Sequence, residues 1–315
     1  MGRLDIFINV ARKPIHPRLR GPVKKICRYL VDHSQVKEFL GENRSVLAQN
    51  LKVELYQFNQ LSSSYKVQNY LKMNNIKYDA IEVSLFSGKE LNNRKYKDLP
   101  MAVINGIEVI DSRLILSILE SHLITGKSID QILQKYRILD RSFGNSWIVD
   151  PYVIDDVDPI SPQLSEYRKR EFEGRCLIHE TIHNSRLLLP NIFYTFKESN
   201  IVANVWMDAF KIPSFLKVGL EMVGGPAAFA LSTAAKKFYK HDYRKALFSA
   251  VDEWLLSVGD RDFHGGSSPN LADIEMFSII DSLQPYPVFE DIMKNVKDVT
   301  PWYLRMHALK TKSIQ

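Results

Sequence analysis

Along LKVELYQF (51–58) apolar and polar residues alternate, the period of a strand with one buried face. The period changes in SSSYKVQNYLKMNN (62–75), where Val67, Tyr70, Leu71 and Met73 form the apolar side of a helix and the serines at its start are good N-caps. KYDAIEVSL (77–85) returns to strand character. A strand, helix and strand in so short a span imply a right-handed parallel crossover. After the polar stretch 87–98, LPMAVINGIEVID (99–111) predicts two short strands around Asn105-Gly106, a strong hairpin signal. Asp111 and Ser112 then cap a helix, SRLILSILESHL (112–123). The block 51–123 therefore reads β-α-β-(α)-β-β-α, the order of a thioredoxin fold.

The flanks read differently. Residues 126–165 hold Gly126, Gly144, Pro151, Pro159, Pro162 and three clustered aspartates, the composition of a linker. From 166 to 315 nearly everything is helix-like, with breaks expected at Pro190, Pro213, Gly224-Gly225 and Gly265-Gly266. The organisation expected is a basic N-terminal extension (1–50), an α/β thioredoxin- or glutaredoxin-like domain (51–125), a linker (126–165) and an all-α domain (166–315). A loose helical pattern occupies 23–40 of the extension, through Val23, Ile26, Leu30, Val36 and Leu40.

Charge and cysteine content narrow the function classes. The formal net charge of +6 is mild and comes without an RNA- or DNA-binding signature, so nucleic acid is not an expected partner. Residues 1–28 carry eight Lys or Arg against one acid, Asp5. That suits a solvated basic tail, an organelle transit segment or peripheral membrane contact. The two cysteines, Cys27 and Cys176, form no redox or metal motif, and a disulfide scaffold is not expected. No apolar run is long enough for a transmembrane helix. A cytoplasmic or membrane-associated protein is expected.

A thioredoxin-like block followed by a helical block is the layout of glutathione transferases. The wording is similar to the prostaglandin E synthase type 2 family: VELYQF with SYKVQNYL, KDLPMAV, RSFGNSW (141–147), FHGGSSPNLADIEMF (263–277) and PWYLRM (301–306), a likeness over about residues 51–310. The resemblance implies an all-α domain of the glutathione-transferase C-terminal type. It also implies glutathione as cofactor, a hydrophobic small-molecule substrate, a tendency to homodimers, and isomerisation of an endoperoxide such as prostaglandin H2 or a related reaction. The family's Cys-x-x-Cys falls on Leu61-Ser62-Ser63-Ser64, so Leu61 replaces the reactive cysteine and Ser64 the second. Phe58 stands where the family has a tyrosine. A serine cannot form a mixed disulfide, which rules out glutaredoxin-type exchange at this position.

Carried over residue by residue, the glutathione-binding positions are Ser62, Leu99, Pro100, Asp111 and Ser112. Leu99, before a cis-Pro100, would offer its backbone to the cysteinyl unit. Asp111 and Ser112 would hold the γ-glutamyl end, since free N–H groups at a helix start are a natural carboxylate site. Ser64 is the candidate catalytic hydroxyl, donating to the glutathione sulfur; ordinary capping is the plainer role for all three serines. The competing expectation is a degenerate transferase used for binding or assembly, which the missing cysteines favour. The family is also linked to haem, but Arg186 falls where the family carries a histidine, which puts haem in doubt.

Other constellations have plainer roles. His179-Glu180-Thr181-Ile182-His183 spells H-E-x-x-H, a zinc-site spacing on a helix. A catalytic zinc needs a third protein ligand, and no recognised one follows, so no metal is assigned. Asn270 with Asp273 reads as a helix cap, and Trp254, Trp302 and Tyr303 as core.

Overall fold

The computed structural model describes residues 44–84, 87–136, 152, 154, 162–184, 187–209, 226, 229–230, 233 and 242–312. The basic segment 1–28, the pattern at 23–40, Leu85, RSFGNSW, Pro151, Asp155, Asp156, Asp158, Pro159, Arg186, Pro213 and Gly224-Gly225 lie outside them.

Strands β1 (Val53–Gln57), β2 (Tyr78–Glu82), β3 (Met101–Ile104) and β4 (Ile107–Ile110) form one sheet in the order β2-β1-β3-β4. β1 runs parallel to β2 and antiparallel to β3, and β3 is antiparallel to β4. Helix α2 (Ser62–Met73) makes the crossover between β1 and β2. This is the thioredoxin-like α/β arrangement. Alternation along the strands sends Val53, Leu55, Ala102 and Ile104 into the main core. Tyr56, Met101 and Val103 go to a smaller cluster on the opposite face with Val83 and Leu91. Asn105 and Gly106, at φ 51° and 84°, supply the two left-handed residues of a tight hairpin.

Helix α3 (Ser112–Thr125) packs against α2. The polar stretch 87–98 holds only a short 3-10 turn, Lys89–Leu91, because Leu91 is its one buried apolar residue. Two helices lie in segments whose composition suggested loop. Helix α1 (Arg44–Gln49) packs on α3, with Ala48 buried. Its Arg44 reaches Glu120, Nη2 to Oε2 2.6 Å and Nη1 to Oε1 3.1 Å, and Tyr70 Oη donates to Glu120 Oε2 at 2.7 Å. Helix α4 (Ile129–Lys135) starts with a capping box formed by Ser128 and Gln131.

The remaining described elements are helical, the second part of the expected fold class: α5 (Pro162–Ile178) running into a π-helical turn (His179–Asn184), α6 (Leu188–Ile192), α7 (Phe196–Ala209), α8 (Tyr243–Val258), α9 (Leu271–Asp281), α10 (Pro287–Asn295) and α11 (Val299–Lys312). Pro190 does not break the chain as expected. It sits in the first turn of α6, where its missing N–H has no intrahelical acceptor to serve.

Every residue of α9 is buried. It packs against α2 on one side and α5 on another, so a single apolar cluster spans sheet and helical parts. Its polar residues all have partners. Asp273 Oδ1 accepts from His264 N (2.8 Å) and Trp302 Nε1 (3.1 Å), and Oδ2 accepts from Gly265 N (2.9 Å) and Asn270 N (3.1 Å), while Asn270 caps the helix. Ser278 Oγ and Asp281 Oδ2 both accept from Asn69 of α2, at 3.1 and 3.2 Å. The loop before α9 leaves no room for a side chain at residue 265: a Cβ on Gly265 would lie 2.4 Å from Ser268 O. Trp254, Trp302 and Tyr303 are core residues, as expected.

Candidate functional site

The sheet register gathers three chain segments at one edge. Tyr56 faces Met101, and Met101 faces Ile110. The residues leaving β1 (Phe58 onward), those entering β3 (Leu99 and Pro100) and those leaving β4 (Asp111 and Ser112) therefore lie side by side. The Leu99–Pro100 peptide is cis, and the ladder begins only at Met101, so Leu99 stays outside it.

Helix α2 starts on this edge. Its N-cap is Leu61, which has no capping side chain, and not one of the serines. A turn closed by Leu61 N donating to Phe58 O (3.0 Å) brings Leu61 to the helix start, and its carbonyl accepts from Ser64 N and Tyr65 N. The serines thereby become the first three residues of the first turn instead of its cap. Among the described residues the N–H groups of Ser62 and Ser63 find no acceptor, so this helix end is open to an external one. Ser62 and Ser63 are half-buried. Ser64 is fully buried, and its Oγ finds no hydrogen-bond partner among the described residues. The candidate catalytic hydroxyl is thus behind the open face, not on it.

Asp111 caps α3 from φ 73°, a backbone conformation unusual for a side chain with a Cβ. Its Oδ1 accepts from Arg113 N (3.0 Å) and Arg113 Nε (3.0 Å), and Oδ2 pairs with Arg113 Nη2. Burial disfavours the Arg113 charge, but its bonds and charge contact with Asp111 prevail and raise its pKa. Asp111 and Ser112 sit where the sequence placed them, with the carboxylate already engaged by Arg113.

Behind this edge lies a buried polar cluster. Lys66 of α2 donates to Glu275 Oε2 (3.0 Å), and Arg175 Nε donates to Glu275 Oε1 (2.6 Å). Arg175 also donates to Ser117 Oγ (3.1 Å), Tyr152 O (2.9 Å) and Arg113 O (3.2 Å). The Tyr152 ring lies under the guanidinium groups of both Arg113 and Arg175. His183 Nε2 is 2.9 Å from Lys66 Nζ. An ammonium only donates, so this nitrogen carries the lone pair. Burial, then the positive charges of Lys66 and Arg113, lower both histidines, His183 well below the usual range. For His179 the order is burial, Arg113 and Lys66, giving about 4.

This answers the H-E-x-x-H spacing. The two rings are 5.9 Å apart on a π-helical turn, His183 Nε2 is taken by Lys66, and Glu180 is largely exposed, its pKa raised by partial desolvation and by Glu253. Among the described residues no group of three or more His, Cys, Asp or Glu is placed to hold a metal ion.

An aromatic wall from the helical part faces the start of α2. Trp206 Nε1 donates to Tyr286 Oη (2.9 Å), and Tyr286 Oη donates to Gln60 Oε1 (3.1 Å). Phe58 and Phe193 contact Trp206 edge-on, with centroids 6.2 and 5.8 Å away. Sequence reading missed Lys66, Arg113, Arg175, Trp206, Tyr286 and Glu275. Glu275 alone left a signal: it is a lone carboxylate inside the apolar run IEMFSII.

A thioredoxin-like sheet with a cis-proline edge, fused to a helical bundle, is the glutathione-transferase class of fold. Within that class the chain is similar to the prostaglandin E synthase 2 proteins. It is 29% identical over 278 residues to prostaglandin E synthase 2 of Danio rerio, covering 83% of this chain and 72% of that protein. The mouse (Mus musculus) protein of the same name is 24% identical over 279 residues, with 82% and 71% covered. Among solved structures, poplar glutathione transferase F1 aligns with TM-score 0.47 at 14% identity, covering 84% of this chain and 96% of that one. Human glutathione transferase theta-2, solved with glutathione, aligns with TM-score 0.44 at 16% identity, with 84% of each chain covered. No family model matches the chain. Among the described residues no helix is long and apolar enough to cross a membrane.

Proposed function

We propose that the protein binds glutathione at the shared sheet edge and uses its thiol on a hydrophobic substrate. The observation that carries this reading is the convergence, fixed by strand register, of Leu99-Pro100, the uncapped start of α2 and the Asp111-Ser112 helix start. Backbone atoms of Leu99 would pair with the cysteinyl unit. The α3 N-terminus at Ser112 would take the γ-glutamyl carboxylate, and Asp111, shared with Arg113, its amino group. The open N–H groups and half-buried hydroxyls of Ser62 and Ser63 would face the sulfur. Ser64, the original candidate, could reach it only from behind. Phe193 and Trp206, backed by the buried Phe58, offer the apolar surface for the co-substrate.

The relatives' name suggests isomerisation of a prostaglandin endoperoxide to the E form, with bound glutathione supplying the thiol. Contact of the basic N-terminus with a membrane surface and homodimer formation extend the same proposal. Leu61 and Ser64 in the Cys-x-x-Cys positions favour a second reading, a binding protein that keeps the site without turnover.

Calorimetric titration with glutathione, followed by product analysis with an endoperoxide substrate, tests both. Binding with glutathione-dependent product supports the first reading, and binding without product the second. No binding at millimolar glutathione would refute both.

A further inference from the structure

We infer that the buried ammonium of Lys66 is the electrostatic activator of the glutathione thiol, acting through the start of α2 in place of a cysteine, tyrosine or exposed serine. The inference rests on the glutathione reading above.

Lys66 lies one turn from Ser62, at about 6 Å along the helix axis. Its amine is buried among Glu275 of α9 and His183 of the π-helical turn. Among the described residues the fixed charges around it are Lys66, Arg113, Arg175 and Arg168 against Asp111, Glu275 and Glu171, the last acting on Arg175 and paired with Arg168 at 2.8 Å; four cations less three carboxylates leave one net positive charge behind the sheet edge. Among the described residues, the other titratable neighbours His179, His183 and Tyr152 are neutral and do not cancel it. Glu275 divides its oxygens between Lys66 and Arg175 and thus balances only one of the two. A positive charge in a poorly screened interior favours an anion at the adjoining helix N-terminus, where the helix dipole acts with the same sign. The thiol proton leaves to solvent and the sulfur stays as thiolate. Lys66 touches neither sulfur nor substrate, so it is a positioning residue for charge.

The test is an ultraviolet thiolate titration of glutathione bound to the full chain, with binding measured separately by calorimetry. Lys66→Met keeps the Arg175–Glu275 pair and lowers the net charge by one. The bound thiol should then titrate about one pH unit higher. Adding Glu275→Gln returns the net charge to plus one, and the titration should return toward wild type although the core is more perturbed. Lys66→Arg should leave it near wild type. A double variant shifted as far as Lys66→Met, or no shift in Lys66→Met with binding intact, would overturn the inference and leave the glutathione reading standing. Absence of binding in wild type would overturn both.

Discussion

Replacing Arg44 by leucine should cost about 3 kcal/mol at neutral pH, and the loss should depend on pH in a defined direction. Burial alone would raise the Glu120 carboxyl, but Arg44's charge and hydrogen bonds, then Arg168 and Tyr70, hold it at about 2 against an ordinary 4.5. About 2.5 units at ~1.36 kcal/mol each gives about 3 kcal/mol, in the range for breaking a buried pair. The folded-state pKa lies below the unfolded one. The stabilisation is therefore complete above pH 4.5 and is lost as pH falls toward 2. Without Arg44 the burial effect wins, the carboxyl rises, and acidification relieves the variant. Urea denaturation followed by tryptophan fluorescence from pH 7 downward should show a gap of about 3 kcal/mol that narrows as the medium becomes acidic. Arg44→Leu combined with Glu120→Gln should recover much of the loss at pH 7. A gap below about 0.5 kcal/mol at pH 7, or one that is constant with pH, would refute the reasoning.

Three further outcomes are expected. Asp111→Ala removes the α3 cap and the Arg113 partner, so it should lower stability by about 1 kcal/mol and weaken glutathione binding; unchanged affinity by calorimetry would remove Asp111 from the site. Ser64→Ala deletes a buried hydroxyl without a partner among the described residues and should leave stability equal or up to about 1 kcal/mol higher, read by urea denaturation. A raised titration of bound glutathione in that variant would restore Ser64 to a role at the sulfur. Asn270→Ala should cost about 0.5–2 kcal/mol in denaturation while glutathione affinity stays unchanged.

The sheet was legible because its signals are local. Alternation marks β1, Asn105-Gly106 marks the hairpin, and Asp111 marks the start of α3, each within a few residues. Arg44 was not, because a basic residue in a basic segment looks solvated until Glu120, 76 positions away, is brought beside it. The serines misled for a related reason. Their chemistry suits capping, but the turn from Phe58 to Leu61 decides which residue takes that position. Lys66 and Arg175 look like surface residues in their own helices, and only the packing of α2 and α5 on α9 places them together. Of the candidate site, backbone-defined positions were readable, whereas the charged floor beneath them depends on pairs about 100 to 210 residues apart.

The complete burial of α9 bears on how the chain can be divided. Its charged and polar residues are satisfied from both parts: Asn69 and Lys66 come from the sheet part, Arg175 and Trp302 from the helical part. A fragment ending near residue 125 would present the inner side of α2 to water, with an apolar seam and a stranded lysine where α9 had been. The complementary fragment would carry Glu275 with one of its two cationic donors gone and Asp281 without Asn69. The sheet is thus not a portable cassette that could be excised, swapped or expressed alone, although its topology recurs as an independent unit elsewhere. Recombination between relatives would have to exchange α2 and α9 as a matched pair.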